Sequence, residues 1–215
     1  MSQLLHLDSS ADLTGSTSRA LTELFADTWH GVSPEHSVIY RDLHVNPLPH
    51  LPTNAAHWAE RLRVPGEEVT PEVEVLQKQL IDEVLSADVL VVGAPMYNWG
   101  IPSTLKAWLD HICVLGTTMP IDGPTQPFRG KPVVVVSSRG NTYAPGTPGE
   151  GTDFVIPTLR EVLGKALGMD VTVVLAELTL ASRVASLAPL APQGEAGLAA
   201  ARATLVQLAK ELGTR

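Results

Sequence analysis

The stretch Val89-Leu90-Val91-Val92-Gly93-Ala94-Pro95-Met96-Tyr97-Asn98-Trp99-Gly100-Ile101-Pro102-Ser103 decides how this chain is read. Val89 to Ala94 is an apolar run of strand length, and from Ser103 to Leu115 apolar residues recur at helical spacing. A strand ending in a loop that opens a helix is where open α/β sheets place ligands, outside the carboxyl ends of the strands. This loop has an uncommon composition. Two prolines stiffen it, Gly100 permits a close backbone approach, and Tyr97 and Trp99 set flat apolar faces beside the amide of Asn98. Such a surface suits a flat heteroaromatic ring better than a charged substrate. The bland alternative is a connector whose aromatics are packing.

Upstream, Leu4-Leu5-His6-Leu7 reads as a first, mostly buried strand. It runs into Asp8-Ser9-Ser10-Ala11-Asp12-Leu13-Thr14-Gly15-Ser16-Thr17-Ser18, after which Leu21, Leu24, Phe25 and Thr28 mark the inner face of a helix. Hydroxyls from Ser10, Ser16, Thr17 and Ser18, with the free N–H groups of a first helical turn, form a cradle for one phosphate. Ser16 or Ser18 as a simple N-cap is the competing reading, and the density of hydroxyls favours the phosphate. No Gly-Lys-Ser/Thr and no G-x-G-x-x-G occurs here, so neither a Walker loop nor a dinucleotide fingerprint is present.

Downstream the same alternation continues. Ser37 to Tyr40 is a short second strand, followed by a long proline-rich connection, 42–70, of the kind used as a flap or partner-binding segment. Thr70-Pro71 starts a helix with Val73, Leu76, Leu80, Ile81 and Val84 as its buried stripe. Leu105, Trp108, Leu109, Ile112 and Cys113 give the helix after the quoted loop its apolar face, and 116–130 is a second irregular excursion. Lys131 to Val136 is a uniformly apolar fourth strand that ends in Ser137-Ser138-Arg139-Gly140-Asn141. A helix around 157–167, a fifth strand at Val171 to Leu175 and a helix over 194–212 complete the chain.

Five strands alternating with five helices predict an α/β fold: a doubly wound five-stranded parallel sheet of order 2-1-3-4-5, with helices on both faces, as one domain over 1–215. That order gathers the carboxyl ends of strands 1, 3 and 4 at the switch point. Hydroxyls, aromatics with Asn98, and Ser138 to Asn141 then converge, and a phosphate cradle joined to a flat-ring pocket describes an FMN site.

The totals narrow the partners. Net charge is −8 and the pI about 5.3, which argues against nucleic acid, because phosphate-backbone binding needs a basic face. Cys113 is the only cysteine, so no intrachain disulfide or thiolate zinc site is expected, and it reads as a small buried apolar residue. No apolar run reaches membrane-span length and the start lacks a cationic n-region, so a cytoplasmic protein without membrane contact is expected. There is no G-x-S-x-G elbow and no His pair at metal spacing; His6 and His111 read as structural.

Taken together, Ser9-Ser10, Ser16-Thr17-Ser18, Pro95-Met96-Tyr97-Asn98, Ile101-Pro102-Ser103-Thr104-Leu105-Lys106, Gly123-Pro124 and Ser138-Arg139-Gly140 make the chain resemble a family over nearly its whole length. That family is the FMN-dependent NADH-azoreductases among the NAD(P)H:quinone oxidoreductases, which are flavodoxin-like. The resemblance implies FMN contacts at Ser10, Ser16, Thr17, Ser18, Met96, Tyr97, Asn98, Trp99, Ser138, Arg139, Gly140 and Asn141. It also implies a two-step exchange: NADH or NADPH gives hydride to N5 of FMN and leaves, then a quinone or azo compound takes the electrons. Chemistry carried by the flavin leaves no catalytic side chain to expect, only backbone N–H groups near Asn98 supporting the reduced ring. A homodimer is implied as well. The rivals are a flavodoxin-type electron carrier and, less favoured, a phosphodiesterase or esterase. Trp99, Gly100, Met119, Asn141 and Lys165 depart from the family's pattern. Lys165 is expected on the substrate side, and the departures bear on acceptor preference rather than on the flavin. Arg139 has a modest alternative role, bracing its loop through a surface ion pair.

Overall fold

The computed structural model describes residues 2–214. Strands β1 (Gln3–Asp8), β2 (Ser37–Asp42), β3 (Val89–Gly93), β4 (Pro132–Ser138) and β5 (Asp170–Ala176) form one parallel sheet in the order β2-β1-β3-β4-β5. This is the predicted doubly wound sheet. Side chains alternate across it at period two. Leu4, Val89, Val91, Val134 and Val136 pack under α1 (Thr17–His30) and α5 (Ala191–Gly213). Leu5, Leu90, Val92, Val133 and Val135 pack under α2 (Pro71–Ser86), α3 (Ser103–Ile112) and α4 (Ile156–Leu159). Helices on both faces explain why β3 and β4 are apolar without alternation.

The helices differ from their predicted outlines in instructive ways. The buried face of α1 is Ser18, Leu21, Thr22, Phe25, Ala26 and Trp29, so Leu24 and Thr28 sit at its margin, half-buried. Trp29, fully buried, outweighs them in the packing. Helix α3 ends at Ile112 rather than Leu115. The segment predicted as a helix over 157–167 is one α turn running into a wider π-turn, Arg160–Ala166. Gln126 Nε2 donates to the carbonyls of Lys165 and Ala166, 3.0 Å each, satisfying groups that the wide turn leaves open. Lys165 itself pairs with Glu161 at 2.5 Å on the approach to the amino end of β5. It therefore lies at the edge of the sheet opposite the carboxyl ends, not on a substrate side.

The connection over 42–70 is pinned rather than loose. His111 Nε2 donates to the Pro49 carbonyl at 2.8 Å, and buried Gln77 donates to Ala56 O at 2.9 Å. Ala59 N–H bonds Leu115 O at 2.9 Å, and Arg61 reaches both Gly116 O and Asp122 at 2.8 Å. The two irregular excursions thus dock on one another beside α3. Among the described residues, no helix is long and apolar enough to cross a membrane, and no group of three or more His, Cys, Asp or Glu could hold a metal ion.

Trp108, on α3, is fully buried in the core cluster beneath that face of the sheet. Trp108→Ala should cost ~3–5 kcal/mol of unfolding free energy, because the large cavity cannot collapse. Urea denaturation checks this, and a loss below about 1 kcal/mol would mean that the α3 face contributes little to the core.

Candidate cofactor site

The turn after β3 has its own backbone signature. Tyr97 N–H bonds Gly100 O and Gly100 N–H bonds Tyr97 O, both at 3.0 Å. The two residues between them, Asn98 and Trp99, have φ of 48° and 65°. Positive φ at both central positions is what a type I′ turn requires, and Asn tolerates it whereas Trp does not favour it. Such a conformation costs ~1–3 kcal/mol per residue and persists only when its surroundings impose it. Here Phe154 N–H clamps the turn by bonding Trp99 O at 3.1 Å. Within the described residues no acceptor meets the N–H groups of Asn98 or Trp99. The turn therefore presents two adjacent free donors beside an indole that is 56% exposed.

The loop after β4 is built around Arg139. Its guanidinium is buried, 2.8 Å from Asp153 and 3.8 Å from Glu177, and its carbon lies 5.4 Å from the centre of the Tyr143 ring. It braces the loop, as the modest reading held, but through a buried ion pair rather than a surface one. Asp153 also accepts from the N–H groups of Val155 and Ile156, so the same brace positions Phe154. Gly140 has a different reason to be glycine. A Cβ there would lie 2.5 Å from Cδ1 of Leu180, whose N–H bonds Gly140 O at 3.2 Å.

The loop after β1 ends in the cap of α1. Ser16 Oγ accepts from Arg19 N–H at 3.3 Å and lies 3.1 Å from Ser18 Oγ. No acceptor among the described residues meets the N–H groups of Thr17 and Ser18. Ser10, buried, lies 3.1 Å from the Tyr97 hydroxyl, which also accepts from Ala11 N–H at 3.0 Å. Arg19 gives the phosphate cradle no charge of its own. Its guanidinium is held bidentate by Asp42 at 2.6 and 2.9 Å, and donates to Ser10 O at 2.7 Å. Burial opposes charge on Asp42, but the Arg19 hydrogen bond and the N–H groups of Val45 and His44 keep its carboxyl well below the usual range. Burial, followed by the Asp8 and Asp42 charges, pushes the Tyr40 phenol up to about 12.

These loops meet in part. Met96 N–H bonds Ser138 O at 2.9 Å, joining the ends of β3 and β4. Met96, Asn98, Trp99, Gly140 and Asn141 line one cavity of about 820 Å³. Its remaining walls come from 143–154 and from 180–187. Ser10 joins this group only through Tyr97. Ser16 and Ser18 do not line the cavity, and Thr17 lines a separate hollow of about 210 Å³ against 176–182. Ser138 and Arg139 sit behind the cavity wall. The donor chemistry fits FMN: free N–H groups and hydroxyls at the start of α1 for the phosphate, and an aromatic, largely apolar cavity with two free N–H groups for the ring. The wall over 180–187 was not read from the sequence, because its residues carry no motif. Cys113 is half-buried beside the core, and burial pushes its thiol up to about 12, which leaves it unreactive.

Comparison with known proteins follows the same line. The family described as flavodoxin-like fold matches residues 2–206. An FMN-dependent NADH:quinone oxidoreductase of Kineococcus radiotolerans is 50% identical over 212 residues, covering 99% of this chain and 100% of that one. One of Streptomyces coelicolor is 43% identical over 218 residues, covering 100% and 97%. A crystal structure of an azoreductase from Bacillus anthracis gives a TM-score of 0.79 at 21% identity, over 98% of this chain and 100% of that one, a likeness of fold.

A double role for Ser16 yields a discriminating measurement. As a cap, its loss costs ~1 kcal/mol of stability whatever ligand is present. As a phosphate donor, its loss removes a hydrogen bond to a charged group, ~1.5–3 kcal/mol, or roughly tenfold to a hundredfold in FMN affinity. Riboflavin, which lacks the phosphate, should bind Ser16→Ala and wild-type apoprotein alike in fluorescence titrations. Equal weakening of both flavins would return Ser16 to the status of a helix cap.

Proposed function

The chain belongs to the flavodoxin-like-fold family and, within it, to the FMN-dependent NADH:quinone oxidoreductases, and from that membership we propose that the cavity beyond the carboxyl ends of β3, β4 and β5, beside the β1 loop, is where it oxidises NADH and reduces quinones. The observation that carries the assignment to this cavity is the Asn98–Trp99 turn, which holds two free N–H groups at an aromatic-lined wall. FMN, when bound, supplies the two-electron chemistry. The chain's own residues bind and orient. Ser10, Ser16, Thr17 and Ser18 would hold the phosphate with neutral donors. The free N–H groups of Asn98 and Trp99, fixed in advance by the turn, would donate to the ring without reorganisation. Trp99, Tyr143, Phe154, Gly140 and Asn141 line the cavity and would surround the ring. Ser138 and Arg139 support the Gly140–Asn141 loop from behind. Solvent supplies the protons.

NADH is the donor named for both bacterial relatives, and NADPH is the alternative to be measured beside it. Azo compounds are a second acceptor class, since their reduction uses the same two-electron supply. A free, half-buried thiol at Cys113 suits the cytoplasm. A flavodoxin-type carrier, the rival reading, does not account for an open cavity of about 820 Å³ beside the turn. The chain works as a homodimer: Trp99 and Phe154, 56% and 58% exposed, leave the aromatic wall open to a partner copy, and two-fold dimers are the commonest assembly.

Because one cavity serves both substrates in turn, initial rates varied over NADH and quinone should give parallel double-reciprocal lines. Intersecting lines, which require both substrates bound together, would sink the scheme. Light scattering at micromolar concentration should give twice the mass of the 22.9 kDa chain, and a fully active monomer would rule the dimer out.

A further inference from the structure

We infer that Asp153, paired with the buried Arg139, is a positioning residue for the flavin ring. Through Phe154 it holds the strained Asn98–Trp99 turn in the shape that presents two free N–H groups. The inference deepens the oxidoreductase reading above and rests on it. Neither Asp153 nor Arg139 lines the cavity, although Thr152 and Phe154, on either side of Asp153, do. The path from this pair to the turn is continuous. Arg139 starts from the edge of the sheet, where its N–H bonds Ala176 O at 2.9 Å. Its guanidinium donates through Nη1 to one Asp153 oxygen at 2.8 Å, and through Nη2 to Ser137 Oγ at 3.3 Å. The other Asp153 oxygen accepts from the N–H groups of Val155 and Ile156, at 2.9 and 3.2 Å. Phe154, held between these anchors, gives its own N–H to Trp99 O at 3.1 Å.

Two departures from ordinary structure meet at the ends of this path. At one end, Trp99 has φ of 65°, a conformation that a bulky L side chain keeps only when its surroundings impose it. At the other, Arg139 Nε is buried without a hydrogen-bond partner among the described residues. Either would be relieved by a local change, glycine at 99 or a smaller side chain at 139. Local rules broken together along one line of contacts are a mark of a site rather than of a scaffold. Within the turn, the Tyr97–Gly100 pair closes the loop, and Trp99 O takes Phe154 as its backbone partner. With that clamp lost, Trp99 is free to leave positive φ, and the directions of both donors change with it. A fixed pair of donors favours the ring most once it has gained charge, because hydrogen bonds to a charged acceptor are the stronger ones.

The test is a fluorescence titration of apoprotein with FMN and with riboflavin. In Asp153→Asn the side-chain oxygen can still accept from Val155 and Ile156, but the charge that holds Arg139 is gone. Both flavins should bind about tenfold more weakly, by the same factor, because the turn meets the ring and not the phosphate. In a Trp99→Gly background, where Asn-Gly takes up the turn unaided, the same substitution should weaken them by less than about threefold. Phe154→Pro deletes the clamping N–H and leaves the ion pair in place. It should bind both flavins about tenfold more weakly than Phe154→Ala, which loses the same side chain but keeps the N–H. If Asp153→Asn fails to fold, the Phe154 pair decides alone. Dye equilibration of the Asp153→Asn holoenzyme should give a flavin midpoint potential lower by about 30 mV, the equivalent of a tenfold loss of preference for the reduced form. Unchanged flavin binding in Asp153→Asn, an equal loss with and without Trp99→Gly, equal binding by the Pro and Ala variants, or a loss confined to FMN overturns the inference and leaves the oxidoreductase standing. Wild-type apoprotein that takes up neither flavin overturns that reading itself.

Discussion

Parallel pairing of β1 with β3 is the constraint on which the site depends. The register sets Leu5 beside Leu90 and Asp8 beside Gly93, so the two strands end level. Gly93 is part of that fit, because a Cβ there would lie 2.7 Å from Asp8 Oδ1. From this level edge the chain leaves in opposite directions, to α1 on one face and to α3 on the other. Two connections diverging from adjacent strands open a crevice that no side chain has to carve. The Ser-rich loop and the Asn98 turn stand on its two sides because the strand order puts them there, and Tyr97 spans the gap to Ser10.

What the crevice contains is governed by where the positive charge goes. Arg19 could have faced a phosphate, but Asp42 and the Ser10 carbonyl hold it on the β2 side. With Asp8 3.6 Å away, it forms a largely buried cluster that ties β1, β2 and α1 together. Removing either partner of such a pair strands a charge and costs ~3–5 kcal/mol. Arg139 is bound in the same way on the other flank. Both guanidiniums serve the scaffold, which leaves the hydroxyls and free N–H groups at the start of α1 as neutral donors among the described residues.

Much of this was legible in the sequence, for identifiable reasons. Apolar runs such as Val133 to Val136 marked strands covered on both faces, and their alternation with helices led to the doubly wound order that the sheet has. The loops at 8–18 and 95–103 stood out through local chemistry, hydroxyls before a helix and prolines with aromatics after a strand, and the structure places them after β1 and β3. Other features lay beyond reach because they depend on residues distant in the chain. Nothing near Arg19 announces Asp42, and nothing near Arg139 announces Asp153. Lys165 was misplaced because similarity aligns a position without saying at which end of a helix it emerges. The wall at Leu180, Val184 and Leu187 looks like ordinary apolar loop until its backbone bonds to Gly140 and Asn141 are seen. The strain at Trp99 was equally hidden, since composition gives no sign of φ.

The contact between Gly140 and Leu180 has a bearing on how such a protein can change over generations. A Cβ at 140 would meet only the Leu180 side chain, 2.5 Å from Cδ1 and 2.9 Å from Cγ, and Leu180 is 40% exposed, so its rotamer can turn to make room. A side chain gained at 140 would therefore redraw the cavity wall at Leu180 without any change there, and a library that varies the wall reads truly only when both positions are followed.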